Sequence, residues 1–428
     1  MSRRAVKPLP PVNQQDSHRL TVAPELVPHP WQTPAAAASG QPLTLAELQQ
    51  LAVAHNPAMG RAHAEVEAAR GRWVQVGLRK NPTIGYEGTD IGEGGSAGKH
   101  GGFVSQEFVT ANKRHIAREV VQREIYQRQQ ELEVIRRRVL GDVQARYLET
   151  AFAQRQLELL SELVKLAENE VQLTERLRKA QEISTLDVLA AQRIRDRVNL
   201  RRQRGEYQLA TAWRKLAAVV GATGLTQTTL ANPSLASTAP PDWDTVWEQL
   251  RSESPQMAAA VAARQRAQWQ LQLAQARRRP NYEVTAGVQN DTLVQETLAN
   301  VAVGVPLPLF NRNQGAICEA EAGVAAAEND IHRVRMNLQH RLAVTYGAWL
   351  DAHQRAEYYD QHILPNLQQS LELVERAFQQ KQLDYLTVVR TQRELIQTRL
   401  DQLEAEEQVH AALAALDNLL LSGSLDPS

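Results

Sequence analysis

The sequence predicts a mainly α-helical fold with a small β part, in which one structural plan is written twice. Three observations predict it. The chain repeats itself at an offset of roughly 200 residues. Each copy holds a long helical stretch with leucines at coiled-coil spacing. Each copy also holds two short segments whose side chains alternate with period two. The 428 residues carry 48 basic and 48 acidic side chains, with 43% hydrophobic and only 5% aromatic residues. That balance argues against a protein that coats nucleic acid, which needs a basic excess. The single cysteine, Cys318, excludes an intrachain disulfide and a cysteine-cluster metal site. No apolar run approaches the length of a membrane-spanning helix, so a bilayer could be crossed only by strands.

The repeat is read from matched residues. Asn56-Pro57 recurs as Ser254-Pro255, Pro82 as Pro280, Asn112 as Asn311, and Tyr147 as Tyr346. Leu186-Asp187-Val188-Leu189 recurs as Leu386-Thr387-Val388-Val389, and Leu216 as Leu416. Residues 1–40 are proline-rich and aperiodic, and read as an extended or disordered leader. Arg3-Arg4 is not followed by an apolar core, so no secretion signal is read there. Repeat one then covers 41–221, a linker 222–242, repeat two 243–421, and a tail 422–428.

Within repeat one, Thr44 and Glu47 make a capping box ahead of Leu45, Leu48 and Leu51. A second helix, 57–79, follows the Asn-Pro step. Strands at 82–90 and 101–110 flank a glycine-rich turn, Gly92–Gly98, which lacks the strand-to-helix setting of a phosphate loop. A long helix covers 112–182 and a last helix 185–221. Repeat two runs in the same order: Trp243, Val246, Trp247 and Leu250 on a short helix, a helix at 255–278, a hairpin at 281–309, a long helix at 312–382 and a last helix at 385–420. Pro365 should interrupt and bend the second long helix. Leu159, Leu163, Leu166, Leu173 and Leu177 keep a 4,3 spacing with Glu170 in the missing place. Leu386, Val389, Ile396, Leu400 and Leu403 do the same, with Arg393 in the gap. The shorter helices, placed end to end, match the long one, so each copy can build an antiparallel two-helix rod.

The repeat-two hairpin has the clearer alternation. Tyr282, Val284, Ala286 and Val288 lie on one side of the first strand, and Val301, Val303, Val305 and Leu307 on one side of the second. Those side chains are expected to face lipid, and the opposite side a lumen. Four strands are too few for a membrane barrel, and an open sheet cannot sit in lipid with unpaired edges. Strands in a bilayer therefore require several chains; three would give twelve strands and a twelve-helix tube.

The two-copy plan, the Asn56-Pro57 and Ser254-Pro255 steps, and the string from Val303 to Gly315 resemble the outer-membrane efflux channel family, the TolC-like outer membrane factors. The string Pro306-Leu307-Pro308-Leu309-Phe310-Asn311-Arg312-Asn313-Gln314-Gly315 resembles the cobalt–zinc–cadmium resistance branch. The resemblance spans about residues 41–421. It implies a homotrimer in the outer membrane: a twelve-stranded β-barrel continued by a periplasmic twelve-helix α-barrel. It also implies docking to a periplasmic adaptor (a membrane fusion protein) and an inner-membrane pump of the resistance–nodulation–division class. The function implied is a passive exit duct for efflux, with heavy-metal cations as one cargo class.

The same resemblance puts the tip, adaptor contacts and gate at the turn between the long and the last helix of each copy. The residues there are Arg178, Gln181, Ser184, Leu186 and Asp187, and Gln380, Asp384, Tyr385, Leu386 and Arg390. The family usually has a glycine in each turn; Gln181 and Gln380 stand near those positions. Where the family's best-known member has an acidic residue after the Val-Leu pair of copy two, this chain has Arg390, so a carboxylate ring is not carried over. Asp187 and Asp384 can equally be helix N-terminal acids, and Arg178, Lys179 and Lys381 solvated helix ends. His55 with His63, and His332 with His340, are spaced eight apart without a completing ligand and read as surface residues. Cys318 reads as a small packed residue, and Pro306 and Pro308 as the strand-to-helix transition. No nucleophile–base pair, cofactor loop or metalloprotease spacing appears, so no enzyme, cofactor or metal site is expected. A soluble coiled-coil scaffold and the adaptor of the same pump class are the competing readings.

Overall fold

The computed structural model of the protein describes residues 42–92, 97–222, 224, 225, 227–231 and 242–425. The leader and most of the linker lie outside the described residues, as do 93–96 of the glycine-rich turn. In chain order the elements are α1 (Leu45–His55), α2 (Pro57–Gly77), β1 (Thr83–Thr89), β2 (Lys99–Phe108), α3 (Lys113–Lys179) and α4 (Thr185–Val220). They recur as α5 (Trp243–Glu253), α6 (Pro255–Ala276), β3 (Tyr282–Asp291), β4 (Glu296–Gly304), α7 (Gln314–Tyr358), a π-helical turn (Tyr359–Ile363), α8 (Leu364–Gln379) and α9 (Tyr385–Asp417).

Local chemistry explains the punctuation. The Thr44 side chain caps α1 while Glu47 accepts from the Thr44 backbone N–H at 2.9 Å. Pro57 and Pro255 open α2 and α6, where a missing N–H costs nothing. Gly221 ends α4 in the left-handed region, φ +76°. Pro365 does not break the second long helix. It has no N–H for the Gln361 carbonyl and its ring crowds that position. The helix widens instead into the π-turn, in which the Leu364 N–H reaches the Tyr359 carbonyl. The corresponding stretch of α3 stays α-helical throughout.

The chain forms two compact units that do not coincide with the two repeats, since each draws on both copies. One comprises Glu67–Ile125 and Arg266–Val324; the other holds the described residues of Pro34–Val66, Tyr126–Gln265 and Ala325–Ser428.

In the first unit the two hairpins pair into one antiparallel sheet of order β1-β2-β3-β4. The central pairing, β2 with β3, joins copy one to copy two, with Val104 opposite Ala286 and Phe108 opposite Tyr282. In the outer pairings Ile84 stands opposite Val104, and Val284 opposite Val303. Strand β4 ends at Gly304, so Val305 and Leu307, expected as strand residues, follow the strand instead. Pro306 and Pro308 are the reason: neither can donate to a ladder. The β3–β4 turn lies at 292–295. Cys318, expected to be packed, is exposed near the start of α7, whose buried residues begin at Leu338.

The second unit is helical. Leu48, Val143, Trp213 and Leu216 centre one cluster, tying α1 and α4 to α3. Leu250, Leu342, Leu416 and Leu420 form its counterpart in copy two. A third cluster joins Leu159, Leu160, Leu163 and Val164 of α3 to Val198 of α4 and to Ile396 and Leu400 of α9. The α3 face is wider than a heptad seam, with adjacent residues both buried, because two helices cover it.

Candidate functional site

Two places carry the features that sequence reasoning singled out: the sheet of the first unit and the helix turns of the second.

Side chains alternate between the faces of a strand, so the register sorts them across the whole sheet. One face collects Ile84 and Tyr86 of β1, Val104 and Phe108 of β2, Tyr282, Val284, Ala286 and Val288 of β3, and Val301 and Val303 of β4. Much of it is bare: Ile84 is 79% exposed and Val301 74%. The Phe108 and Tyr282 rings stack at 5.1 Å at one end of this face. The polar Gln106, His100, Asn290 and Thr297 share this face, the last three towards the hairpin turns; the opposite face collects Glu87, Ser105, Glu107, Glu283, Thr285, Gln289 and Asn300, with Leu298 among them. There the Gln289 amide donates to Glu87 at 3.0 Å, and the Ser105 hydroxyl donates to Glu283. Phe103 is an apolar exception, its ring lying over Gly85, where an added Cβ would stand 2.4 Å from it. Strands β1 and β4 each have one edge without a partner strand among the described residues.

In the second unit, both turns end their first helix with the same backbone motif. In copy one the Gln181 N–H bonds the Arg178 carbonyl at 3.0 Å and the Glu182 N–H the Leu177 carbonyl at 2.9 Å. In copy two Lys381 bonds Phe378 and Gln382 bonds Ala377, both at 2.9 Å. This paired closure needs a left-handed residue. It is Gln181 at φ +63° in copy one, and Lys381 at φ +57°, not Gln380, in copy two.

The two acids cap the next helix in inverted roles. Asp187, in the first turn of α4, accepts from the Ser184 hydroxyl at 2.8 Å and the Ser184 N–H at 3.0 Å. Asp384, just ahead of α9, accepts from the Thr387 N–H at 3.1 Å and from its hydroxyl. The Ser184 hydroxyl and N–H hold the Asp187 carboxyl below the usual carboxylate range, and the Arg390 charge adds to this. Arg178, Gln181, Ser184, Leu186 and Asp187 are exposed, as are Gln380, Asp384, Tyr385 and Arg390; Leu386 is half-buried. The Phe378 and Tyr385 rings lie 5.4 Å apart across the copy-two turn.

The two residues that fill the gaps of the leucine spacing find each other. Arg393 Nη1 lies 2.9 Å from Glu170 Oε2, with the Glu170 side chain 4% exposed and Arg393 30%. Sequence reasoning marked both gaps without pairing them; the signal was one polar residue at the same break in each run. It also left unassigned the face of the copy-one strands, whose alternation the glycines at 85, 88, 101 and 102 blur. Among the described residues, no three His, Cys, Asp or Glu side chains come together as a metal group, and no helix is long and apolar enough to cross a membrane.

The model of the family described as outer membrane efflux protein matches residues 48–222 and 246–420, once for each copy. The chain belongs to the outer membrane efflux protein family. Its members are transport proteins rather than enzymes. A curated relative, the cobalt-zinc-cadmium resistance protein CzcC of Cupriavidus metallidurans, is 26% identical over 287 residues, covering 66% of this chain and 68% of that protein. Among solved structures the fold is similar to the outer membrane protein VceC of Vibrio cholerae, with a TM-score of 0.71 at 18% identity over 89% of this chain and 96% of that one. The open state of the Neisseria gonorrhoeae MtrE outer membrane channel has a TM-score of 0.71 at 15% identity, covering 89% of each chain. CusC, described with transmembrane channel formation, has a TM-score of 0.69 at 18% identity, covering 89% of this chain and 92% of that one. Family membership disfavours the soluble scaffold and the adaptor as readings of this efflux protein.

Proposed function

We propose that three copies of this chain assemble into an outer-membrane exit duct of a tripartite efflux pump. The observation that carries the reading is the four-stranded sheet with one mainly apolar face, one mainly polar face and two edges unpaired among the described residues. In lipid each unpaired edge would leave backbone donors and acceptors without partners, at several kcal/mol per group. Pairing β1 of one copy with β4 of the next removes both edges, and three copies close at twelve strands. Twelve strands at about 4.8 Å spacing and roughly 45° tilt enclose a barrel about 26 Å across, wide enough for a wet lumen. The apolar side chains, Tyr282, Val284, Ala286, Val288, Val301 and Val303 with Ile84 and Val104, would face lipid. A ten-residue strand such as β3 rises about 23 Å at that tilt, close to the apolar band of known membrane barrels.

The helices of the second unit would form the periplasmic tunnel, and the turns at 178–187 and 380–390 its tip, gate and adaptor contact. Conduction would be passive. Energy and cargo choice would come from the adaptor and an inner-membrane resistance–nodulation–division pump. The similarity to CzcC makes heavy-metal cations the cargo class to test first. Fractionation of cells expressing the chain with an export signal should recover a detergent-dependent trimer from the outer membrane that conducts ions in planar bilayers. A monomer in the soluble fraction without conductance would overturn the reading.

A further inference from the structure

A groove of about 580 Å³ lies between α4 and α9, running from the tip residue Arg390 along the two helices. The 200-residue repeat sets equivalent faces across it: Ile194, Arg197 and Val198 on α4 against Glu394, Gln397 and Thr398 on α9. The floor is apolar, formed by Leu163, Ile194 and Val198. The rim carries four arginines, Arg197, Arg201, Arg390 and Arg393, with Glu394 as the sole carboxylate in the lining.

Two of the four guanidinium groups are engaged. Arg393 holds Glu170 at 2.9 Å, and Arg201 donates to the neutral Gln397 Oε1 at 2.6 Å. Arg197 has no hydrogen-bond or ion-pair partner among the described residues, and Arg390 makes no hydrogen bond or close ion pair there but feels the Asp187 charge. Counting Glu170, Glu394 and the Asp187 that faces Arg390, the groove keeps an excess of one positive charge. Like charges held between two helices repel, and the planar guanidinium matches carboxylate and phosphate oxygens in pairs.

We propose that this groove binds a small multivalent oxyanion, a polycarboxylate or a polyphosphate. The volume falls within the roughly 300–1,000 Å³ usual for small-ligand sites, and the paired guanidinium groups on its rim suit an oxyanion. The cationic rim selects against a bare divalent cation, and the apolar floor accepts the carbon body of an organic acid. The inference concerns binding by the purified chain and stands independently of the duct reading.

Calorimetric titration of the full chain in detergent with citrate, and separately with pyrophosphate, tests it; acetate serves as the monovalent control. Saturable binding of citrate or pyrophosphate but not acetate is expected, weakening as salt rises. Arg197→Gln with Arg390→Gln should lower the affinity at least roughly tenfold, the loss expected of a charge-assisted contact. Arg197→Gln alone changes an exposed side chain with no hydrogen-bond or ion-pair partner among the described residues, so it serves if the double variant loses its helical signal. Absence of saturable binding, or binding unchanged in the substituted protein, would overturn the proposal.

Discussion

The Glu170–Arg393 pair yields an asymmetric prediction. The carboxylate is 4% exposed and the guanidinium 30%. Removing one partner of a buried pair costs about 3–5 kcal/mol, because the other charge is left without water or counter-ion. Arg393→Leu strands the more deeply buried charge and should cost that full range. Glu170→Leu strands a guanidinium that water already reaches, so the cost should fall to about 1–2 kcal/mol. The double variant replaces the pair with two apolar side chains beside Leu163, Ile396 and Leu400, and should lie close to the unsubstituted protein. Amide hydrogen exchange on α3 and α9 of the full chain reads these local opening energies. Equal costs for the two single variants, or a double variant equal to their sum, would refute this reasoning.

Other outcomes follow from the same structure. Burial, with Glu149 and Glu404 adding, pushes the Glu407 carboxyl up to about 7 from an ordinary 4.5. The folded state then keeps a proton through that window which the unfolded state has released, so stability should fall as pH rises across it; Glu407→Gln should flatten that slope in thermal melts between acid and neutral pH. On the sheet, Val301→Arg should cost about 2–4 kcal/mol in lipid and deplete the protein from the outer membrane, while Ala302→Arg, on the other face, should leave its abundance near normal. Pro365→Ala restores the missing N–H, and the π-turn at Tyr359–Ile363 should relax to continuous α-helix with slower amide exchange there.

The sequence made the repeat, the helix order and the apolar side of β3 legible, because those features are periodic. Val284 and Val303 announce a face on their own. Ile84 and Tyr86 do not, since glycine separates them from their neighbours; their face became readable only through the pairing of β2 with β3, which no local pattern specifies. The end of β4 was misjudged because Leu307 and Leu309 continue the alternation that Pro306 and Pro308 forbid as a ladder. At the tip, the offset of 200 links Gln181 to Lys381, the two left-handed residues, but no local pattern in the sequence marks a glutamine or a lysine for that conformation. Glu170 and Arg393 were visible as gaps, but a heptad describes one seam. Helix α3 packs against both α4 and α9, and that second neighbour brings the pair together.

Closure of the sheet edges between copies is tested most directly by disulfide trapping. In a Cys318→Ser background, cysteines placed along the free edges of β1 and β4 should cross-link neighbouring copies on oxidation in native membranes. A covalent ladder that stops at the trimer is predicted. A ladder that stops at the dimer, extends past the trimer or never forms would contradict the account.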